Sequence, residues 1–215
     1  MQTVIEAPAR PAEPLPTWAA GTDPRSSPEV VKQFLEAYSD PGDVVFDPFA
    51  GFGTTLAVAE SMGREAWGVE YESERAAYVR SRIGHPERLR EGDARALDEL
   101  DLPTADCVFT SPPYTIESAT DEPFRNDEGE GAYDHYLETV DGIAADLAHL
   151  LAPGGTLVLQ VSNLVHEGYV TTLAWDVADV VREHLHFDRE VVIRWTDGPK
   201  YGYDHGYGLV FSDEG

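Results

Sequence analysis

Lysine is almost missing from this chain. Lys32 and Lys200 are the only two among 215 residues, and 15 basic residues in all stand against 40 acidic ones, for a formal charge of −25. A surface of that sign repels the phosphate backbone of nucleic acid in dilute salt. A nucleic-acid substrate is therefore compatible with this composition where concentrated salt screens the charge; otherwise the partner is basic. A solvated acidic shell of the halophilic kind is the expectation. Cysteine is as scarce: Cys107 stands alone in an apolar run. That excludes an intrachain disulfide framework or a cysteine metal site, and it reads as a small buried core residue in a reducing cytosol. Nowhere does the chain approach the roughly 20 consecutive apolar residues of a membrane span, and the N-terminus lacks a basic-then-apolar signal pattern. A soluble, cytoplasmic protein without a membrane partner is expected. His166, His184, His186 and His205 show no metal-ligand spacing, so no metal is expected, and there is no internal repeat.

What is present is an alternation of short apolar runs with helical periodicities, at a length that suits one α/β domain. Residues Met1 to about Pro16 are rich in Pro, Ala and Glu and read as a mobile tail, with Trp18 its first anchored residue. The expected organisation is a disordered segment 1–17 followed by a single domain 18–215. Pro28 to Tyr38 reads as a helix with Ser27 as its cap, Pro28 at its first position and Val30, Val31, Phe34, Leu35 and Tyr38 on one face. Helices are also expected from Leu56 to Met62, Ser73 to Ile83, Tyr133 to Leu151 and around Thr172 to His184. Strands are expected at Val44–Phe46, Ala66–Glu70, about Arg90–Ala94, Ala105–Thr110, Thr156–Val161, Glu190–Trp195 and Gly208–Phe211. A glycine- and tyrosine-rich connection joins the last two. The acidic, glycine-bearing segment from about 115 to 132 has no period and reads as a long flexible loop beside the active site.

Two motifs carry chemistry. The first, Asp47-Pro48-Phe49-Ala50-Gly51-Phe52-Gly53-Thr54-Thr55, follows the Val44–Phe46 run and precedes a helix. That is the order that opens a nucleotide-binding βαβ unit, where glycines admit a close ligand and helix N–H groups favour polar atoms. The third glycine of a dinucleotide fingerprint is missing, since that position is Leu56, and no Lys-Ser or Lys-Thr pair follows, which disfavours a phosphate-cradling loop. Glu70 ends the second strand at roughly the 20 positions after Asp47 at which a carboxylate receives ribose hydroxyls. Glu72 and Glu74 are neighbours that do not terminate the strand.

The second motif is Ser111-Pro112-Pro113-Tyr114, at the end of the Ala105–Thr110 strand. An exocyclic amine on a base is a poor nucleophile until its hydrogens are bound and it is held in line for attack. The Ser111 oxygen and the Pro112 carbonyl are candidate acceptors, Pro113 stiffens the turn, and Tyr114 offers a ring against which an extruded base stacks.

Together these motifs resemble the DNA amino-methyltransferases, whose cofactor loop has the form Asp-Pro-Phe-x-Gly-Ser-Gly-Thr-Thr and whose catalytic turn is Asp/Asn/Ser-Pro-Pro followed by an aromatic residue. Phe52 departs from the usual serine. The resemblance implies a Rossmann-like class I methyltransferase fold, with a seven-stranded, mainly parallel sheet and one antiparallel strand. It implies S-adenosylmethionine as cofactor, held by Asp47, Phe49, Ala50, Gly51, Gly53, Thr54, Thr55 and Glu70, with Asp93 meeting the adenine amino group, or else standing as a solvated turn residue. Residues Thr22 to Pro28 would touch the methionine end, or serve packing alone. Ser111, Pro112, Pro113 and Tyr114 would be catalytic. The serine form of the turn resembles the enzymes that methylate N4 of cytosine in DNA, the aspartate form those that act on N6 of adenine. Structured RNA such as ribosomal RNA is the alternative substrate. A protein amide methyltransferase and a non-catalytic binding module are further alternatives.

Overall fold

The computed structural model describes residues 1–19, 25–116, 123–124 and 132–213. In chain order its elements are β1 (Val4–Ala7), α1 (Pro28–Tyr38), β2 (Val44–Asp47), α2 (Thr54–Ser61), β3 (Glu65–Glu70), α3 (Ser73–Arg80), β4 (Leu89–Glu91) and β5 (Ala105–Thr110). There follow α4 (Ala132–Leu150), β6 (Leu151–Val161), β7 (Leu164–His166), β8 (Tyr169–Thr171), α5 (Leu173–Val181), β9 (His186–Trp195) and β10 (His205–Ser212).

Apolar runs flanked by turns pair into one eight-stranded sheet in the order β1-β9-β10-β6-β5-β2-β3-β4. All neighbours run parallel except β10, which is antiparallel to both β9 and β6. Central strands covered on both faces must be apolar on both, and β5 complies. Cys107 and Phe109 face the layer of α1, α2 and α3, while Val108 faces α4 and α5. Helix α1 seats Val30, Val31, Phe34 and Leu35, all with no exposure, against that sheet. The ring of Phe34 explains a glycine within β10, because a Cβ on Gly208 would come within 2.1 Å of Phe34 Cζ. Ser27 stands at the cap of α1 in extended conformation, but its hydroxyl makes no cap hydrogen bond and is buried without a partner.

Two features depart from the sequence reading. The N-terminal tail is not disordered throughout: Val4–Ala7 form β1, an eighth strand parallel to β9, with Val4 opposite Val192 and Ala7 opposite Trp195. Ala9 N donates to Asp197 Oδ1 at 2.6 Å, and Lys200 Nζ donates to the carbonyls of Ala9 and Arg25. Four residues alternating out and in are too short a pattern to stand out in a Pro-rich stretch, and their partner lies at the far end of the chain. Secondly, the β7–β8 hairpin fills the stretch between the Thr156–Val161 run and the helix around Thr172 to His184, where no element was expected. Its turn places Glu167 and Gly168 both at positive φ, the geometry that matches strand twist, but with Glu where Asn or Asp would have signalled it. Most of the loop expected at about 115–132 lies outside the described residues, and Phe124, a described member of it, packs on the core. Among the described residues no helix is long and apolar enough to cross a membrane.

Candidate active site

The carboxyl ends of β2, β3 and β5 open onto a cavity of about 480 Å³, within the usual range for small-molecule sites. Parallel strands leave their loops at this edge, so the motifs that follow β2 and β5 meet here although they are far apart in sequence.

Asp47, the last residue of β2, is buried. Its Oδ1 accepts from the Phe49 amide at 3.0 Å and from Thr110 Oγ1 at 2.6 Å, which ties the glycine loop to the end of β5. Burial pushes this carboxyl above its ordinary range, against the hydrogen bonds from Thr110, Thr55 and the Phe49 amide. Glu70 ends β3 and is also buried. Its Oε2 accepts from the Gly51 amide at 2.7 Å and its Oε1 from the Glu72 amide at 2.9 Å. Burial raises this carboxyl too, opposed by the Glu72 amide, Arg75 and the Gly51 amide. Each oxygen keeps a further lone pair. Glu70 therefore shapes the loop and retains capacity to accept a ligand hydroxyl.

The two glycines of the loop have different reasons. Gly51 lines the cavity at φ +55°, and its amide is held by Glu70. Gly53, at φ +79°, caps α2 and does not line the cavity. A Cβ there would come within 2.7 Å of Val79 Cγ1, so this glycine lets α2 and α3 pack closely. Phe52, the departure from the family pattern, forms an aromatic wall with Trp18 (5.8 Å) and Tyr78 (6.0 Å), and the Arg75 guanidinium lies over it at 5.3 Å. Phe49, Ala50, Thr54 and Thr55 also line the cavity. Asp93 reaches it as well, but its carboxylate is committed to Arg95, whose guanidinium bonds both oxygens and whose amide bonds Oδ1. Those bonds hold Asp93 below the usual carboxylate range. A part-exposed acid engaged in this way fits the turn reading better than the adenine reading.

Opposite the loop, Ser111, Pro112, Pro113 and Tyr114 all line the cavity. The Tyr114 hydroxyl donates to the Gln160 carbonyl at 3.0 Å and lies 3.1 Å from Ser111 Oγ. Burial raises the phenol well above its usual value, and Tyr201 adds to the shift, so it stays protonated. The ring meets Tyr201 edge-on at 5.1 Å. Tyr201 holds a positive φ of 55° beside the buried Lys200 and is a lining residue that the motifs do not contain. Its visible signal was the tyrosine- and glycine-rich connection before β10. Arg25 and Ser26 line the cavity from the stretch ahead of α1, and residues 22–24 of that stretch lie outside the described set. Phe124 also lines it, its ring tilted by 43° against Phe49 at 5.9 Å; nothing in its acidic loop marked it.

The fold is that of the class I methyltransferases. TrmN from Thermus thermophilus superimposes with a TM-score of 0.64 over 86% of this chain and 48% of its own, at 17% identity. A methyltransferase from Pyrococcus furiosus gives 0.58 over 91% and 88%, also at 17% identity. In sequence, residues 25–81 match the family described as DNA methylase. The chain is 50% identical over 52 residues to the DNA adenine methyltransferase YhdJ of Escherichia coli (strain K12), covering 24% of this chain and 18% of that protein. It is 37% identical over 65 residues to the type II methyltransferase M2.DpnII of Streptococcus pneumoniae, covering 30% and 24%. Residues 25–81, which carry the loop end of the cavity, are thus similar to the DNA methylase family. The match spans about a quarter or less of either relative's length.

Proposed function

We propose that the protein transfers a methyl group from S-adenosylmethionine to the exocyclic amine of a nucleobase, with N4 of cytosine in DNA the favoured acceptor. The observation that carries this reading is that the glycine loop with Glu70 and the Ser111–Tyr114 turn open onto one cavity. The residues present fit the cofactor. Glu70 keeps acceptor capacity suited to ribose hydroxyls, Gly51 leaves the loop backbone unscreened by a side chain, and Arg25 and Ser26 border the same space. S-adenosylmethionine would supply an electrophilic methyl group on a sulfonium. The chain's own residues then have to position the amine and accept its hydrogens. Ser111 Oγ and the Pro112 carbonyl are the acceptors of that wall, and the Pro-Pro sequence removes two N–H groups that would otherwise compete. The base must be unpaired or extruded to arrive there.

A serine at position 111 favours cytosine over adenine. The family match covers residues 25–81, all before this turn, so it leaves the choice of base to Ser111. Structured RNA is the second reading. Every described element after Tyr114 belongs to the main sheet, its covering helices or the β7–β8 hairpin, so among the described residues no separate base-reading unit stands beside the site. Binding of either polyanion by so acidic a chain requires screening, which we connect to a halophilic setting.

The test is mass analysis of nucleosides after incubating purified protein and cofactor with DNA and with ribosomal RNA in molar potassium chloride. N4-methylcytosine in DNA is expected. N6-methyladenine would replace the base, the same mark in RNA alone would replace the polymer, and transfer to protein alone would shift the reading to amide methylation. No transfer to any of them, with cofactor bound, would leave a binding module. Ser111→Ala and Tyr114→Ala are expected to slow turnover about 10²-fold or more while cofactor affinity holds, the pattern of groups that act in the chemical step.

A further inference from the structure

We propose that the Tyr114 hydroxyl fixes the polarity of Ser111, so that Ser111 meets the target amine as a hydrogen-bond acceptor and not as a donor; this rests on the amine-methylation reading above. A carboxylate at position 111 would accept by its nature, but a serine hydroxyl can do either. The wrong choice has a chemical cost: an O–H directed at the amine nitrogen engages the lone pair that must attack the methyl carbon.

The hydrogen bonds around Tyr114 resolve the ambiguity. A phenol has one hydrogen. The Gln160 carbonyl, 3.0 Å from the Tyr114 oxygen, can only accept, so that hydrogen lies on the line to Gln160. The 3.1 Å contact between Tyr114 and Ser111 must then run the other way, with Ser111 donating and the phenol oxygen accepting. Once its one hydrogen is placed there, Ser111 turns lone pairs to the cavity. The anchor is rigid, because Gln160 lies near the end of β6, between β5 and β10. Burial keeps the phenol protonated, so the donor that starts the chain is not lost at working pH. Tyr114 thus has a second duty besides offering a ring, and its hydroxyl acts as a positioning group through Ser111.

This reverses the simple expectation that Tyr114→Phe is harmless because stacking needs only the ring. In Tyr114→Phe the Ser111 hydrogen loses its acceptor and is free to turn into the cavity. The expected result is about a ten-fold fall in kcat on a cytosine-containing oligonucleotide, with KM and S-adenosylmethionine affinity within about two-fold of the parent. The same change made in a Ser111→Asp background, where position 111 accepts without help, is expected to cost less than about two-fold. Calorimetry of cofactor binding shows that each variant is folded; where Ser111→Asp loses the cofactor, Ser111→Asn serves, with its amide oxygen as acceptor.

An equal loss in both backgrounds, or a Tyr114→Phe variant as fast as the parent, overturns the proposal. Should the parent transfer no methyl group to any nucleic acid, the functional reading falls by itself, and the polarity is decided by nuclear magnetic resonance of the hydroxyl protons. A Ser111 hydroxyl proton close to the Tyr114 oxygen, lost in Tyr114→Phe, supports it. A Tyr114 hydroxyl proton directed at Ser111 refutes it.

Discussion

At the loop end of the cavity Glu70 grips the amide of Gly51, 19 positions away, whereas at the turn end the Tyr114 hydroxyl reaches a carbonyl 46 positions along the chain and its ring meets Tyr201 from the connection between β9 and β10. The loop end is made by β2, α2 and β3, consecutive elements whose short-range contacts rebuild themselves wherever the βαβ unit forms. The turn end is made by β5, the end of β6 and the connection into β10, which come together only when the whole sheet has closed. A locally built end can be carried as a portable sequence segment, and residues 25–81 are the part of this chain that matches the DNA methylase family. A globally built end depends on how distant strands pack. The two ends are bridged by Thr110 donating to Asp47 across 63 positions.

The largest effect expected from a single change at the loop end is structural. Gly53→Ala forces a Cβ against Val79 and a left-handed backbone on an L-residue, and is expected to cost about 2–5 kcal/mol of stability in denaturant titrations. Adding Val79→Ala should relieve the steric part and leave the backbone part. Full stability in Gly53→Ala alone would mean that the helices are free to move apart, and the distinction between the two glycines would go.

Next in size is the division of labour between the ends. Glu70→Ala should weaken S-adenosylmethionine binding by about 1–3 kcal/mol in calorimetry, and with saturating cofactor it should leave kcat much less affected than Ser111→Ala does. Unchanged affinity would remove Glu70 from the cofactor site. Loss in kcat alone would merge the two ends into one functional unit.

A smaller effect follows from the raised carboxyl of Asp47. A group whose pKa is higher folded than unfolded favours folding while it is protonated, and that contribution is lost as pH rises through the folded value. Replacing it by a neutral isostere removes this loss. The stability of Asp47→Asn relative to the parent should therefore grow as pH rises from about 4 and level off once Asp47 is ionised in the folded protein. A difference that shrinks over that window would mean that the anion is the favoured form, and that Asp47 holds the bridge between the ends by charge.

The smallest effect at any one residue is electrostatic and spread over the surface. Raising potassium chloride from about 0.1 M to about 2 M should raise the melting temperature of the parent, since screening relieves repulsion in a chain of charge −25. Both ends should gain alike. A melting temperature that does not move would defeat the halophilic reading and revive a basic partner.

The sequence by itself determined the alternation of strands and helices and the segment Asp47 to Glu70 with its turn partner Ser111 to Tyr114. These rest on periodicity, on turn residues and on contacts between neighbours, all of which are written within a few tens of positions. It did not determine β1, which is four residues that become a strand because β9 offers a free edge. It did not separate Gly51, which faces the cavity, from Gly53, which faces Val79; both look alike in a motif. Nor did it reveal that Asp93 is held by Arg95, that Tyr201 enters the site, or that Gln160 sets the direction of the hydrogen bonds at Ser111. Those were decided by tertiary structure alone, because each depends on which atoms a closed sheet brings within a few ångströms, and hydrogen-bond direction is set by the last acceptor in the chain of contacts.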